Sequence, residues 1–80
     1  MDTTIINRLE KYEADCISFN YSREEAVLLG KGNNYININI SPAGDYMLTL
    51  STDEIRIIFG FRDVNSVFDF LDCNHLRLLK

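Results

Sequence analysis

The stretch YININISPAGDYMLTLS, residues 35–51, alternates large apolar side chains with small or polar ones on both sides of a run of turn formers. A period of two marks a strand with one buried face. With residues 41–45 as a five-residue hairpin loop, Ile40 faces Tyr46, Ile38 faces Leu48 and Ile36 faces Leu50. All six then share one side. The other side pairs Asn39 with Met47, Asn37 with Thr49 and Tyr35 with Ser51. A slip of one residue would turn every isoleucine to water, so this register is strongly specified. The asparagines are the odd part, because asparagine is depleted in strands. Their face is either a plain wet surface or one kept free of charge for docking.

The pattern extends both ways. A turn at Thr52-Asp53 pairs Leu50 with Ile55, Leu48 with Ile57 and Tyr46 with Phe59. The outer side then receives Glu54, Arg56, Ile58, Gly60 and Arg62. Residues 35–40, 46–51 and 54–61 thus predict an antiparallel meander. Upstream, Ile17, Phe19 and Tyr21 alternate as in a further strand. Residues 22–34 admit two readings. Ser22 and Glu25 have capping-box spacing, and Gly30 or Gly32 offers a helix stop, which favours a short helix. A tight turn and a returning strand is the alternative.

Two segments carry helical spacing. Asp2 is placed to cap a first helix with Ile5, Ile6, Leu9 and Tyr12 on its apolar stripe. Asp63 is placed to cap a second, with Val64, Val67, Phe68 and Leu71 inward and Asn65, Asp69 and Asp72 outward. Asn74 is a candidate end, which leaves HLRLLK as a last short strand or a tail over the core. The expected fold is a single α+β domain over residues 1–80. It has two layers: an antiparallel β-meander of three to five strands, packed against an N-terminal and a C-terminal helix.

Composition narrows the function. Eighty residues make one domain, and 46% hydrophobic with 25% charged residues is an ordinary globular balance. The net charge is −4 and no basic stripe exists, which argues against direct nucleic-acid binding and suits a basic protein partner. The N-terminus is charged and amphipathic rather than a signal peptide, and no run is long enough to cross a membrane. A cytoplasmic protein without membrane contact is expected, with Cys16 and Cys73 as reduced thiols.

Chemistry finds little support. Cys16, Cys73 and His75 lack zinc-site spacing, so no metal and no cofactor are expected. Cys73 and His75 would point the same way in an extended segment, but nothing supplies an oxyanion site or an orienting third group. The pairs Glu10/Glu13 and Asp69/Asp72 read as solvated helix faces rather than a general acid and base in a pocket. GKGNN lacks the pattern of a phosphate loop. Phe59 and Phe61 in FGFRD fall on the inner side, unlike the exposed aromatics of an RNA-binding sheet. No catalytic residue is assigned, and the chain is not expected to be an enzyme.

Two candidate binding surfaces remain. One is the acidic helix surface of Glu10, Glu13, Asp69 and Asp72. The other is the outer sheet face of Tyr35, Asn37, Asn39, Met47, Arg56 and Ile58, mostly polar yet nearly uncharged. Interface centres are depleted in charge and enriched in Tyr, Met and Arg. The expectation is a small acidic module that inhibits or regulates a protein by direct contact. Its specific form is a phage- or mobile-element-encoded antagonist of a host nucleic-acid defence enzyme. Such an anti-CRISPR-like protein would act in part as a nucleic-acid mimic on a basic nucleic-acid-binding complex. A structural or homodimeric subunit, an immunity protein and an antitoxin are the alternatives, and a thiol enzyme using Cys73 and His75 ranks last.

Overall fold

The computed structural model describes residues 1–79, the side chain of Leu78 excepted. Five strands form one antiparallel sheet in chain order: β1 Ser18–Tyr21, β2 Glu25–Leu29, β3 Tyr35–Ile40, β4 Tyr46–Ser51 and β5 Arg56–Phe61. An N-terminal helix, α1 Thr3–Leu9, tightens into a 3₁₀ segment, Glu10–Asp15, and a long helix, α2 Val64–Leu79, closes the chain. The architecture is the expected α+β meander with helices at both ends.

The β3–β4 hairpin has the register that the alternation predicts. Ile36 faces Leu50, Ile38 faces Leu48, and Asn37 and Asn39 face Thr49 and Met47. In its loop the Ser41 amide donates to the Asp45 carbonyl at 2.8 Å, and Gly44 supplies a φ of +90°.

Residues 22–34 hold a strand rather than the favoured short helix. The Ser22 amide donates to the Glu25 carbonyl at 2.8 Å, which closes a tight turn over Arg23 and Glu24. The Ser22 hydroxyl also accepts from the amides of Glu24 and Glu25. The Ser–Glu spacing that resembles a helix cap is therefore spent on a hairpin, since a serine hydroxyl serves either kind of turn. Ala26 and Leu28 then alternate into the core opposite Ile38 and Ile36. The apolar ladder offered by β3 outweighs a marginal local preference for helix.

The same device resets the last hairpin. Thr52 donates its amide to the Ile55 carbonyl at 2.8 Å, and its hydroxyl accepts from the amides of Glu54 and Ile55. The turn thus spans Asp53 and Glu54, and β5 sits two residues along from the expected pairing. Leu50 faces Ile57, Leu48 faces Phe59 and Tyr46 faces Phe61. A shift of two preserves which side chains face inward. It moves Glu54 into the turn, and Arg62 lies just past the strand end.

The third correction concerns α2, which runs through Asn74 to Leu79 without a terminal strand or loose tail. Asn74 bonds back to the Phe70 carbonyl, and His75 to that of Leu71, instead of stopping the helix. Leu71, His75 and Leu79 recur every four residues and prolong the inward stripe. Leu79 ends buried beside Gly30. The alternation of leucines in HLRLLK hid this longer period.

One core joins the layers. Ile5, Ile6, Leu9 and Tyr12 meet Val67, Phe68, Leu71 and Leu79 over the inner sheet residues Ala26, Leu28, Ile36, Ile38, Leu48 and Leu50. Phe59 and Phe61 pack with Phe70 at the β5 side of this core, with Phe59 and Phe70 ring centroids 5.0 Å apart. Both helices and the 3₁₀ segment therefore bury themselves on one face of the sheet.

Candidate functional site

The opposite face of the sheet carries the first candidate surface. Tyr35, Asn37, Asn39, Met47, Arg56 and Ile58 all project from it by register. Asn39, Arg56 and Ile58 are exposed, while Tyr35, Asn37 and Met47 are half-buried among their neighbours. Because β2 is a strand, Val27 and Leu29 join this face, and so does Glu25. The Asn37 amide donates to the Glu25 carboxylate at 2.8 Å, so one asparagine neutralises part of the polarity of a strand-end charge. Glu25 and Arg56 are the charges that the strands place on this face, and they sit on opposite sides of it, on β2 and β5. Between them lies a nearly uncharged patch.

The second candidate surface lies on the other side of the molecule, along the seam between the N-terminal segment and α2. Here the 3₁₀ geometry matters. Side chains three apart in a 3₁₀ helix line up in one row, so Tyr12 and Asp15 stand above one another. Their partners on α2 rise in step. Arg8 bonds to Asn65 at 3.1 Å and lies 3.9 Å over the Phe68 ring. Tyr12 stacks on Phe68 and donates its hydroxyl to Asp72 at 2.6 Å. Lys11 reaches the same Asp72 oxygen at 3.1 Å. Asp15 meets the Nε2 of His75 at 3.0 Å, and the His75 ring stands edge-on to Tyr12 at 4.7 Å. Asn65 and Asp72 thus face this seam, and Asp69 remains exposed on α2.

Of the expected acidic residues, Glu10, Glu13 and Asp69 are exposed on the helical side, and Asp72 doubles as the anchor of Tyr12. The two candidate surfaces do not merge into one footprint: the acids lie on the helical layer and the asparagines on the far side of the sheet. Lys11, Tyr12, Asp15 and His75 escaped the sequence reading as a polar seam. The legible signal was the repeat of Leu71 and His75 at a spacing of four, which places the imidazole inward.

Proton affinities follow from these contacts. The Tyr12 hydroxyl, then the Lys11 ammonium, holds the Asp72 carboxyl below the usual carboxylate range. Burial, reinforced by the bond to Asp72, pushes the Tyr12 phenol well above its ordinary value. The signs are opposite. The depressed Asp72 contributes stability that is present above about pH 4, its unfolded value, and is lost as pH falls through the folded one. The raised Tyr12 contributes stability that is complete below about pH 10 and is lost as pH rises further. Urea midpoints measured across pH should show Asp72→Asn flattening the acid limb and Tyr12→Phe flattening the alkaline one. Identical curves for wild type and both variants would disprove the coupling.

The thiols and the imidazole are poorly placed for catalysis. Burial, with Glu13 and Asp15 nearby, raises Cys16, whose thiol donates to the Glu13 carbonyl at 3.3 Å. A thiol held protonated is a weak nucleophile. Cys73 and His75 sit two apart on α2, a spacing at which helical side chains do not face each other. The extended geometry expected to align them is absent. Both His75 nitrogens are engaged, Nδ1 with the Leu71 carbonyl at 2.8 Å and Nε2 with the Asp15 carboxylate at 3.0 Å. Among the described residues no group of three or more His, Cys, Asp or Glu side chains is placed to hold a metal ion. A shallow open cleft lies elsewhere, at the β1–β2 turn, lined by Asn20, Tyr21, Ser22, Glu25 and Val27. Among the described residues no helix is long and apolar enough to cross a membrane.

No protein-family model matches the chain, and neither does any curated protein or solved structure.

Proposed function

We propose that this protein is a small acidic binding module that inhibits or regulates a protein partner by direct contact. The observation that carries the reading is the one-sided packing: among the described residues every helical segment buries into the inner face, and none covers the outer face. That face offers Tyr35, Met47 and Ile58 among uncharged Asn, Thr and Ser, the composition of an interface centre with its charge removed. The specific form of the proposal is a phage- or mobile-element-encoded antagonist of a host nucleic-acid defence enzyme, anti-CRISPR-like in action, working in the cytoplasm. A domain seated in a basic nucleic-acid channel touches both walls. Its acidic helical side would replace phosphate charge on one wall, while its sheet face would give specificity on the other. Binding is the activity, with no catalytic step and no cofactor.

Nuclease-treated host extract passed over the immobilised protein at low and high salt tests this. The expected result is one basic nucleic-acid-handling complex retained at low salt and weakened at high salt, since exposed charge pairs are screened. Salt-independent capture of a toxin would replace the antagonist reading with an immunity protein or antitoxin. Retention of nothing would overturn the binding reading.

A further inference from the structure

The sheet has two edges, and they differ. The β1 edge is four residues long; the β5 edge is six, RIIFGF, with no proline and no charge between Arg56 and Phe61. Ile55, Ile57 and Ile58 are 49%, 39% and 59% exposed, so three large aliphatic side chains crowd one border of the molecule. Among the described residues β5 pairs with β4 alone. The turn bond from Thr52 to Ile55 fixes which backbone groups are used. By antiparallel alternation Ile57, Phe59 and Phe61 bond to β4, and the N–H and C=O groups of Arg56, Ile58 and Gly60 point outward. Unpaired edge groups beside exposed aliphatics are a template for another strand.

We infer that β5 pairs antiparallel with β5 of a second copy of this chain, about a two-fold axis at Ile58, to give a continuous ten-stranded sheet. Outward-pointing residues must meet outward-pointing residues, which leaves three registers centred near the middle of the strand. The register centred on Ile58 sets Ile58 against itself and Arg56 against Gly60 of the other copy, where the missing side chain makes room for the arginine. On the inner side Ile57 meets Phe59, and Ile55 meets Phe61. Just beyond the strand ends, the turn that carries Glu54 comes beside Arg62 of the other copy, twice by symmetry. Moving the axis to Phe59 would instead set Arg56 against Arg62. Moving it to Ile57 would leave Glu54 against Gly60 and carry Arg62 past the turn, where the chain folds back to pair Thr52 with Ile55. Only the middle register opposes unlike charges while covering all three exposed isoleucines, and a two-fold pairing closes on itself rather than propagating. This goes beyond the partner-binding proposal, and the part of the outer sheet face away from β5, with Tyr35, Asn39 and Met47, stays open in the dimer.

Sedimentation of the purified protein from about 1 to 100 μM tests it without any partner, a range in which dimers of micromolar affinity dissociate. A monomer–dimer equilibrium is expected. Ile58→Pro removes an outward N–H that β4 does not use, a position where an edge strand tolerates proline, and should weaken dimerisation at least tenfold. Glu54→Arg should also weaken it, and Glu54→Arg with Arg62→Glu should restore it, a readout that survives even if the proline variant misfolds. A wild type monomeric at the highest concentration overturns the inference. So does a dimer indifferent to the Glu54→Arg change, or one not rescued by the charge swap.

Discussion

Tyr12→Ala should lower the unfolding free energy by about 3–5 kcal/mol, the range for deleting a buried aromatic ring. For a domain of this size that is most of the stability it has. Tyr12 is 1% exposed and stands between the 3₁₀ segment and α2. Its ring stacks on Phe68, its edge meets His75, and its hydroxyl ends in the Asp72 carboxylate. Removing the ring opens a void and strands the seam that fastens the N-terminal segment to α2. Tyr12→Phe keeps the packing and loses only the hydroxyl, so its loss should be clearly smaller. Urea unfolding with unchanged slope reads both. Equal losses for the two variants would mean that the hydrogen bond, not the ring, holds the seam.

Gly30→Ala is the second large effect, expected at about 1–3 kcal/mol as an overpacking change. A Cβ at Gly30 would lie 2.7 Å from both the Cα and the carbonyl oxygen of Leu79. These are backbone atoms, so no side-chain rotation relieves the clash. The cost should appear as undocking of the last turn of α2, where the Lys31 amide reaches the Leu79 carbonyl and the Leu79 side chain is buried. Hydrogen exchange should accelerate in residues 74–79 before the rest of the helix. An unchanged midpoint with unchanged exchange would show that α2 does not pack so closely on the β2–β3 turn.

What was legible in the sequence follows the strength of the period. The β3–β4 hairpin was readable to the residue because six large side chains and a five-residue loop admit one register. The β4–β5 pairing was readable only in parity. Nothing in the alternation separates a turn at Thr52-Asp53 from one at Asp53-Glu54, and the Thr52 hydroxyl decided it. At Ser22 the same chemistry reads equally as a helix cap, since a hydroxyl three residues before a glutamate satisfies amides in either structure. In HLRLLK a local alternation masked the four-residue repeat of Leu71, His75 and Leu79. The seam itself was beyond one-dimensional reading: pairing Asp15 with His75 and Tyr12 with Asp72 spans 60 residues and rests on the switch from α to 3₁₀ geometry.

The candidate surfaces were legible as compositions but not as a geometry. Acidic residues and uncharged strand positions could be named from spacing, yet their placement on opposite sides of the domain required the sheet to be built. That placement also separates roles within the acidic set. Reversing the charge of Asp72 would break its contacts with Tyr12 and Lys11, so Glu10, Glu13 and Asp69 are the cleaner probes of electrostatic binding.

The most direct measurement is therefore a side-by-side capture at low salt with three baits: wild type, Glu10→Lys/Glu13→Lys/Asp69→Lys, and Asn39→Lys, all at exposed positions. Unfolding midpoints, recorded first, should be close to one another, because exposed substitutions away from caps and networks usually change stability by about 0.5 kcal/mol or less. The proposal predicts that wild type retains a basic partner and that each variant loses it, the first mainly through the salt-sensitive part and the second outright. Capture of the same protein by all three baits, with all three folded, would contradict it.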